Sequence, residues 1–317
     1  MNLVVVDGYT LNPGDLSWTD LESIATVTHY PRTAPSEIVG RLKGADAVLT
    51  NKVPISAETF AACPQLRYVG VAATGYNIID VEAAKSAGVT VTNVPGYSTN
   101  SVAQVVFALL LETTHHVGHH ADRVRQGGWA SCADFSFTDF PLIELAGQTM
   151  GIVGFGDIGK AVGRIAHAFG MKVIFHTRTK PNFKEYPAEY VELADLFTRA
   201  DVVSLHCPLT PQTKGLISTP LLKTMKPGAV LINTARGALI NEADLAQALR
   251  DKVIAYAALD VLSSEPPPAS NPLLEAPNTF ILPHVAWASV AARRRLMKEI
   301  VENIRSFQQG KPRNVIG

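Results

Sequence analysis

Residues 148–178, QTMGIVGFGDIGKAVGRIAHAFGMKVIFHTR, constrain this chain more than any other stretch. An apolar run at 150–153 is long enough for one buried strand. It leads directly into Gly154-Phe155-Gly156-Asp157-Ile158-Gly159, a G-x-G-x-x-G. Ile158, Val162, Ile165 and Phe169 then recur at helical spacing, Gly170 stops the pattern, and 173–175 reads as a second strand. The three glycines have separate tasks. Gly154 turns the chain sharply out of the strand, Gly156 lets a pyrophosphate approach the backbone, and Gly159 lets the helix pack closely on the sheet. The N–H groups and dipole at the helix start attract phosphate. A lone G-x-G-x-x-G is weak evidence, because glycine-rich turns are common. Here strand, loop, helix and second strand arrive in phase, the context a dinucleotide-binding βαβ unit requires.

At 317 residues the chain has room for about two domains. It is 47% hydrophobic and 18% charged, so it can bury large cores. Lys+Arg and Asp+Glu balance at 28 each, which leaves no basic field to collect nucleic acid or an anionic membrane. Cys63, Cys132 and Cys207 are odd in number and far apart, so they suggest neither a disulfide framework nor a metal cluster. That usage fits a reducing cytoplasm. The N-terminal MNLVVVDGY has no basic region and meets an acid at Asp7, so it reads as a strand and not a signal peptide. No apolar run reaches membrane-spanning length.

The first hundred residues read as a smaller α/β unit with strands at 3–6, 47–50, 68–71 and 89–92. The loop 72–77, AATGYN, follows a strand end directly, where open α/β sheets collect ligands. Its small residues leave backbone N–H groups to hold an anion, and a plain turn is an equal alternative. Residues 98–117 are apolar around most of their circumference and read as one buried interdomain helix. The following aperiodic segment carries Trp129, Phe135, Phe137 and Phe140, which read as exposed, either as an arm packing on a second subunit or as a surface loop.

His115 with His119, and His116 with His120, fall on shared helical faces, a metal-like spacing. No glutamate sits between them as in a zinc protease and no third ligand is evident. A helix-end cap or plain exposure is therefore the reading taken, and no metal is expected.

Further strands at 202–205, 229–232, 256–259 and 279–282 alternate with helical patterns, which predicts a parallel, doubly wound sheet. The last helical pattern, with Met297, Ile300, Val301, Ile304 and Phe307, is expected to return to the first unit and make it discontinuous. The predicted boundaries are 1–98 with 288–317, and 99–287. Arg236, Glu265 and His284 each follow a strand of the second unit. Singly they read as a cap, a solvated acid and a packed histidine. Three successive strand ends beside a phosphate loop carry more weight.

In these motifs the chain resembles the NAD(P)-dependent D-isomer-specific 2-hydroxyacid dehydrogenases. The matches are GFGDIG (154–159), HCPLTPQT (206–213), INTARG (232–237), LDVLSSEP (259–266) and PHVAW (283–287), in family order. DGYTLNPGDLSW (7–18) and TNK (50–52) resemble the glycerate dehydrogenase, or hydroxypyruvate reductase, branch less specifically. The resemblance implies two doubly wound parallel-sheet α/β domains, a discontinuous flavodoxin-like substrate domain and a Rossmann NAD(P)-binding domain, assembled as a homodimer through the latter. It implies reduction of a small 2-oxo acid to the D-2-hydroxy acid. Arg236 would bind the substrate carboxylate and carbonyl oxygen. His284 would donate the proton, Glu265 would favour its protonated form, and the Ala73-Thr74-Gly75 backbone would grip the other side of the carboxylate. Asp260 would contact the nicotinamide amide, and Cys207, Thr234 and Ala235 would line the cofactor path.

One departure bears on the cofactor. NAD users of the family usually carry Asp at the end of the second strand, to hold the ribose 2′-hydroxyl. Here Thr177 stands there, followed by Arg178 and, two residues on, Lys180. No acid repels a 2′-phosphate and Arg178 could pair with one, so NADPH is expected to serve at least as well as NADH. Arg178 stacking on adenine or facing solvent is the plain alternative. A second departure, Gln104 where relatives often have Glu, is assigned no consequence. A phosphoglycerate dehydrogenase-like enzyme and a dinucleotide-sensing corepressor are the competing readings. Formate dehydrogenases place Gln where Glu265 stands.

Overall fold

The computed structural model describes residues 1–317, which divide into two compact units, Met1–Ser98 with Ala288–Gly317, and Thr99–Trp287.

The first unit is a five-stranded sheet, all parallel. Its strands are β1 (Asn2–Val5), β2 (Thr26–His29), β3 (Ala47–Thr50), β4 (Tyr68–Val71) and β5 (Thr90–Thr92). Their order is β2-β1-β3-β4-β5. β3 and β4 are buried along their whole length, as central strands covered on both faces must be. β2, Thr-Val-Thr-His, sits at the edge with alternate residues exposed, and for that reason lacks the apolar run that marks the others. The helix Val290–Gln308 packs on β4, with the Phe307 ring 4.8 Å from that of Tyr68. On the same helix Arg293 is buried, donating from both terminal nitrogens to Asp15 at 2.6 Å.

The second unit is a seven-stranded parallel sheet. It contains β6 (Thr149–Val153), β7 (Lys172–His176), β8 (Glu189–Tyr190), β9 (Val202–Leu205), β10 (Val230–Asn233), β11 (Tyr256–Leu259) and β12 (Thr279–Ile281). Their order is β12-β11-β10-β9-β6-β7-β8. Successive residues feed opposite faces. Val230 and Ile232 enter one apolar cluster with the helix Thr99–His115, and Leu231 enters another with Leu245 and Leu249.

The expected continuous helix over 98–117 is interrupted. It ends at His115, and His116 adopts a left-handed φ of 47° before a second helix, Val117–Arg125, begins. His116 therefore leaves the helical face it was expected to share with His120. Its ring is buried rather than exposed, 4.2 Å from Phe140, with Nε2 3.2 Å from the Tyr256 hydroxyl. His119 instead meets Asp139 at 2.6 Å. No group of three or more His, Cys, Asp or Glu side chains is placed to hold a metal. The aromatic segment is also less free than expected. Phe137 and Phe140 are half-buried and fold back on these histidines, whereas Trp129 and Phe135 stay exposed. No helix is long and apolar enough to cross a membrane.

Candidate active site

The order of the larger sheet reverses between β9 and β6, the position where doubly wound sheets open a crevice at their strand ends. Gly154 leaves β6 there with a φ of 95°, and a Cβ on it would lie 2.5 Å from the Cys207 nitrogen beyond β9. A Cβ on Gly159 would lie 2.2 Å from the Gly154 oxygen. Packing inside the chain thus demands both glycines. Gly156 differs, because a Cβ there would meet no atom within 4 Å. Its lack of a side chain leaves room for something from outside. Gly156 is also the N-cap of the helix Asp157–Ala168, whose first N–H groups receive no side-chain cap. Thr234, buried after β10, has a hydroxyl oxygen with no hydrogen-bond partner. An open cradle, uncapped helix N–H groups and an orphaned hydroxyl fit a phosphate-bearing dinucleotide.

The residues around the cradle divide by what they can offer. The Phe155 side chain is buried and stacks on Phe175 at 3.9 Å, so only its backbone can face a ligand. Asp157 is exposed and Ile158 half-buried. Cys207 is half-buried, and burial pushes its thiol pKa up. Asn233 staples the turn after β10, accepting from Ala235 N at 3.0 Å and donating to Arg236 O at 2.9 Å. After β7, Thr177 is half-buried, and Arg178 is exposed and in no ion pair. Lys180 lies over the Tyr190 ring at 5.3 Å.

Three further loops leave the adjacent strands β10, β11 and β12 and are laced together. Gly237 abuts the second, since a Cβ on it would lie 1.9 Å from the Leu262 carbonyl carbon. That close approach sets the Arg236 turn against the loop carrying Glu265. Glu265 Oε2 in turn meets His284 Nδ1 at 2.6 Å, with both side chains partly exposed. Arg236 has no carboxylate partner and bonds only to its neighbour's carbonyl, Nη1 to Ala235 O at 2.7 Å. The loops that carry Arg236, Glu265 and His284 thus leave one edge of one sheet, with the guanidinium free of acids on the first and the acid–imidazole pair joining the other two.

Asp260 has a task that its expected contact with a nicotinamide amide did not include. It is 1% exposed, and its two oxygens accept the N–H groups of Val285 at 2.8 Å and Ala286 at 2.9 Å. Burial raises its pKa above the ordinary 3.8, and these two N–H groups pull against that rise. The bonds hold the residues that follow His284, whose φ of 55° is unusual for a residue with a Cβ. Ser101 adds a third tie, donating to Ala286 O at 2.6 Å. Ser101 did not stand out in the sequence, and Gly237 did so only as the end of the INTARG match, because the partners that reveal their roles lie 185 and 25 residues away.

His206 directly follows β9. Its ring is enclosed, and burial lowers its pKa to about 3, so it stays neutral near pH 7. Its Nε2 pairs with Ser204 Oγ at 2.8 Å. Of the two histidines that follow β9 and β12, His284 is the one with an acid behind it.

In the first unit, the loop after β4 has its carbonyls occupied. Ala73 O accepts from Val94 N at 3.0 Å and Thr74 O from Asn93 Nδ2 at 2.7 Å. The N–H groups of Ala73, Thr74 and Gly75 donate to nothing within the chain. These N–H groups are open to solvent or to an anion.

Residues 107–286 match the family described as D-isomer specific 2-hydroxyacid dehydrogenase, NAD binding domain. A hydroxypyruvate reductase of Blautia hydrogenotrophica is 48% identical over 320 residues, covering 100% of this chain and 99% of that protein. A glycerate dehydrogenase of Methylorubrum extorquens is 43% identical over 285 residues, covering 89% of this chain and 88% of the relative. The NADPH-dependent glyoxylate/hydroxypyruvate reductase of Sinorhizobium meliloti, solved with NADP and malonate, superposes with a TM-score of 0.84 at 29% identity. That match covers 100% of this chain and 96% of the other. With the strand-end constellation and the phosphate cradle already in place, these similarities make the chain a member of the D-isomer-specific 2-hydroxyacid dehydrogenase family.

Proposed function

We propose that this enzyme reduces a small 2-oxo acid of the hydroxypyruvate or glyoxylate type to the D-2-hydroxy acid, using NAD(P)H. The observation that carries the reading is the acid–imidazole pair at 2.6 Å, with a guanidinium that has no acid partner on the loop that abuts it. A bound reduced nicotinamide supplies the hydride. Arg236 presents a planar fork that matches a carboxylate and its neighbouring carbonyl oxygen. Glu265 holds Nδ1 of His284, which leaves Nε2 to deliver the proton to the carbonyl oxygen and to retrieve it in the reverse direction. In the first unit, the N–H groups of Thr74 and Gly75 are the proposed contact for a substrate carboxylate oxygen.

Gly154 to Gly159, Cys207, Thr234 and Ala235 are the residues that would hold the dinucleotide. Arg178, exposed and unpaired after β7, supports use of NADPH at least as readily as NADH. The NADPH-dependent Sinorhizobium enzyme among the solved relatives is consistent with that assignment. Exposed Trp129 and Phe135, at 54% and 91%, support a C2 homodimer, which light scattering would register as twice the 34.0 kDa chain. Balanced charge argues against a nucleic-acid partner, and three free cysteines fit the cytoplasm. The deciding assay is turnover of hydroxypyruvate, glyoxylate and pyruvate with NADH and with NADPH. Absence of turnover with every pair would remove the enzymatic reading and leave a dinucleotide-sensing role.

A further inference from the structure

The smaller sheet has its own reversal of strand order, between β1 and β3. In open α/β sheets that is where a ligand is expected. Here the position is filled from within. The turn after β3 points three consecutive backbone N–H groups inward, an arrangement that attracts an anion, and the carboxylate of Asp7, just beyond β1, lies among them. Asn51 N donates to both oxygens at 2.9 and 3.0 Å, Lys52 N at 2.6 Å and Val53 N at 3.2 Å. Two side-chain bonds close the turn, Thr50 Oγ1 to Val53 O at 2.8 Å and Asn51 Nδ2 to Thr10 Oγ1 at 3.0 Å.

This turn is tied to the next loop along the sheet. Ile55 N donates to Ile78 O at 2.9 Å and Asp80 N to Ile55 O at 3.0 Å, while Ala72 N donates to Thr50 O at 2.8 Å. Residues 72 and 78–80 bracket the Ala73–Gly75 loop on both sides. The unbonded N–H groups of that loop therefore lie one strand over from a nest that Asp7 has plugged.

We infer that Asp7 is a positioning residue for substrate binding: by acting as the internal anion of the 51–53 turn, it fixes through 55 and 78–80 the loop whose free N–H groups receive the 2-oxo acid's carboxylate. The inference rests on the proposed function above. Asp7 is 6% exposed, and burial raises its pKa even against its backbone donors. A charge disfavoured in this way is a poor device for stability alone. Its value lies in the geometry it imposes.

The test is steady-state kinetics of the full chain carrying Asp7→Asn and Asp7→Ala, with dinucleotide affinity measured in parallel. Dinucleotide binding reports on the other unit, and the circular-dichroism melting curve of each variant shows whether the first unit, which holds Asp7, has folded. For either variant we expect KM for the 2-oxo acid to rise about tenfold or more, with kcat within about threefold and dinucleotide Kd unchanged. Asp7→Ala leaves the nest without its anion, so added formate should lower the raised KM, while in the parent formate can only compete with substrate. A folded variant with KM within about twofold of the parent, or an equal fall in dinucleotide affinity, overturns the inference. If Asp7→Asn does not fold, absence of formate rescue in Asp7→Ala overturns it alone. A parent that turns over no 2-oxo acid overturns the proposed function and this inference together, which separates the two failures.

Discussion

Replacing Asp260 with asparagine distinguishes a residue that holds a loop from one that holds a cofactor. The carboxylate accepts Val285 N at 2.8 Å and Ala286 N at 2.9 Å. Asparagine fills the same space but offers one acceptor, and its amide nitrogen must face a backbone N–H. One hydrogen bond to a charged group is lost, about 1.5–3 kcal/mol. An opposing effect offsets part of this. Because burial raises the folded pKa of Asp260 above 3.8, its charge lowers stability at neutral pH. The group's favourable contribution is full below 3.8 and is lost as pH rises through the raised folded value. The amide carries no charge and escapes that loss.

The two effects act in opposite senses, so Tm is expected to move by less than about 4 °C, the equivalent of about 1 kcal/mol in a unit of this size. Activity should respond far more. The residues after His284 lose one of the bonds that hold its unusual φ, and a displacement of about 1 Å at a reacting group costs on the order of 10²-fold in rate. Calorimetry gives Tm, NADPH oxidation gives kcat, and fluorescence titration gives the dinucleotide Kd. A kcat within about threefold of the parent refutes the argument. A fall in kcat matched by an equal loss of dinucleotide affinity would return Asp260 to the nicotinamide contact that the family resemblance implies.

Arg236→Lys keeps the charge and loses the fork, so KM for the 2-oxo acid should rise and kcat fall with dinucleotide Kd unchanged; near-normal kinetics would remove Arg236 from the site. Gly159→Ala places a methyl 2.2 Å from a backbone oxygen and should destabilise the protein by about 1–3 kcal/mol or more, read as a fall in Tm. Gly156→Ala meets no neighbour, so it should leave Tm unchanged while weakening dinucleotide binding, and equal Tm losses in the two variants would refute the distinction. Arg178→Ala should lower kcat/KM for NADPH and spare NADH, by a factor equivalent to about 1–3 kcal/mol. Equal effects on both cofactors would show that Arg178 does not read the 2′-phosphate.

The central βαβ unit was legible in the chain because everything that defines it lies within about thirty residues. Strand run, glycine spacing and helical period are local patterns, and the steric demand at Gly159 follows from that same short path, whereas that at Gly154 comes from Cys207 beyond β9. Most interior strands showed as short apolar runs, since strands covered on both faces must be apolar throughout. β2 and β8 did not, because an edge strand exposes alternate residues and β8 is only two residues long. Arg236, Glu265 and His284 could be singled out because parallel strands present their carboxyl ends on one edge, so a residue following a strand is already placed.

Their pairing was another matter. Sequence alone, without the family resemblance, could not say that Glu265 reaches His284 at 2.6 Å, or that Asp260 holds residues 285 and 286. Nor could it show that the helix over 98–117 would break at His116, where burial among Phe140, Tyr256 and Phe280 holds the ring. Asp7 is the clearest case. Forty-four residues separate it from the first of its backbone donors, which carry no side-chain signature. A buried acid must find donors, and that requirement can be read from a sequence. Which donors it finds is decided by strand order, which brings the end of β1 beside the end of β3 only when the sheet has formed.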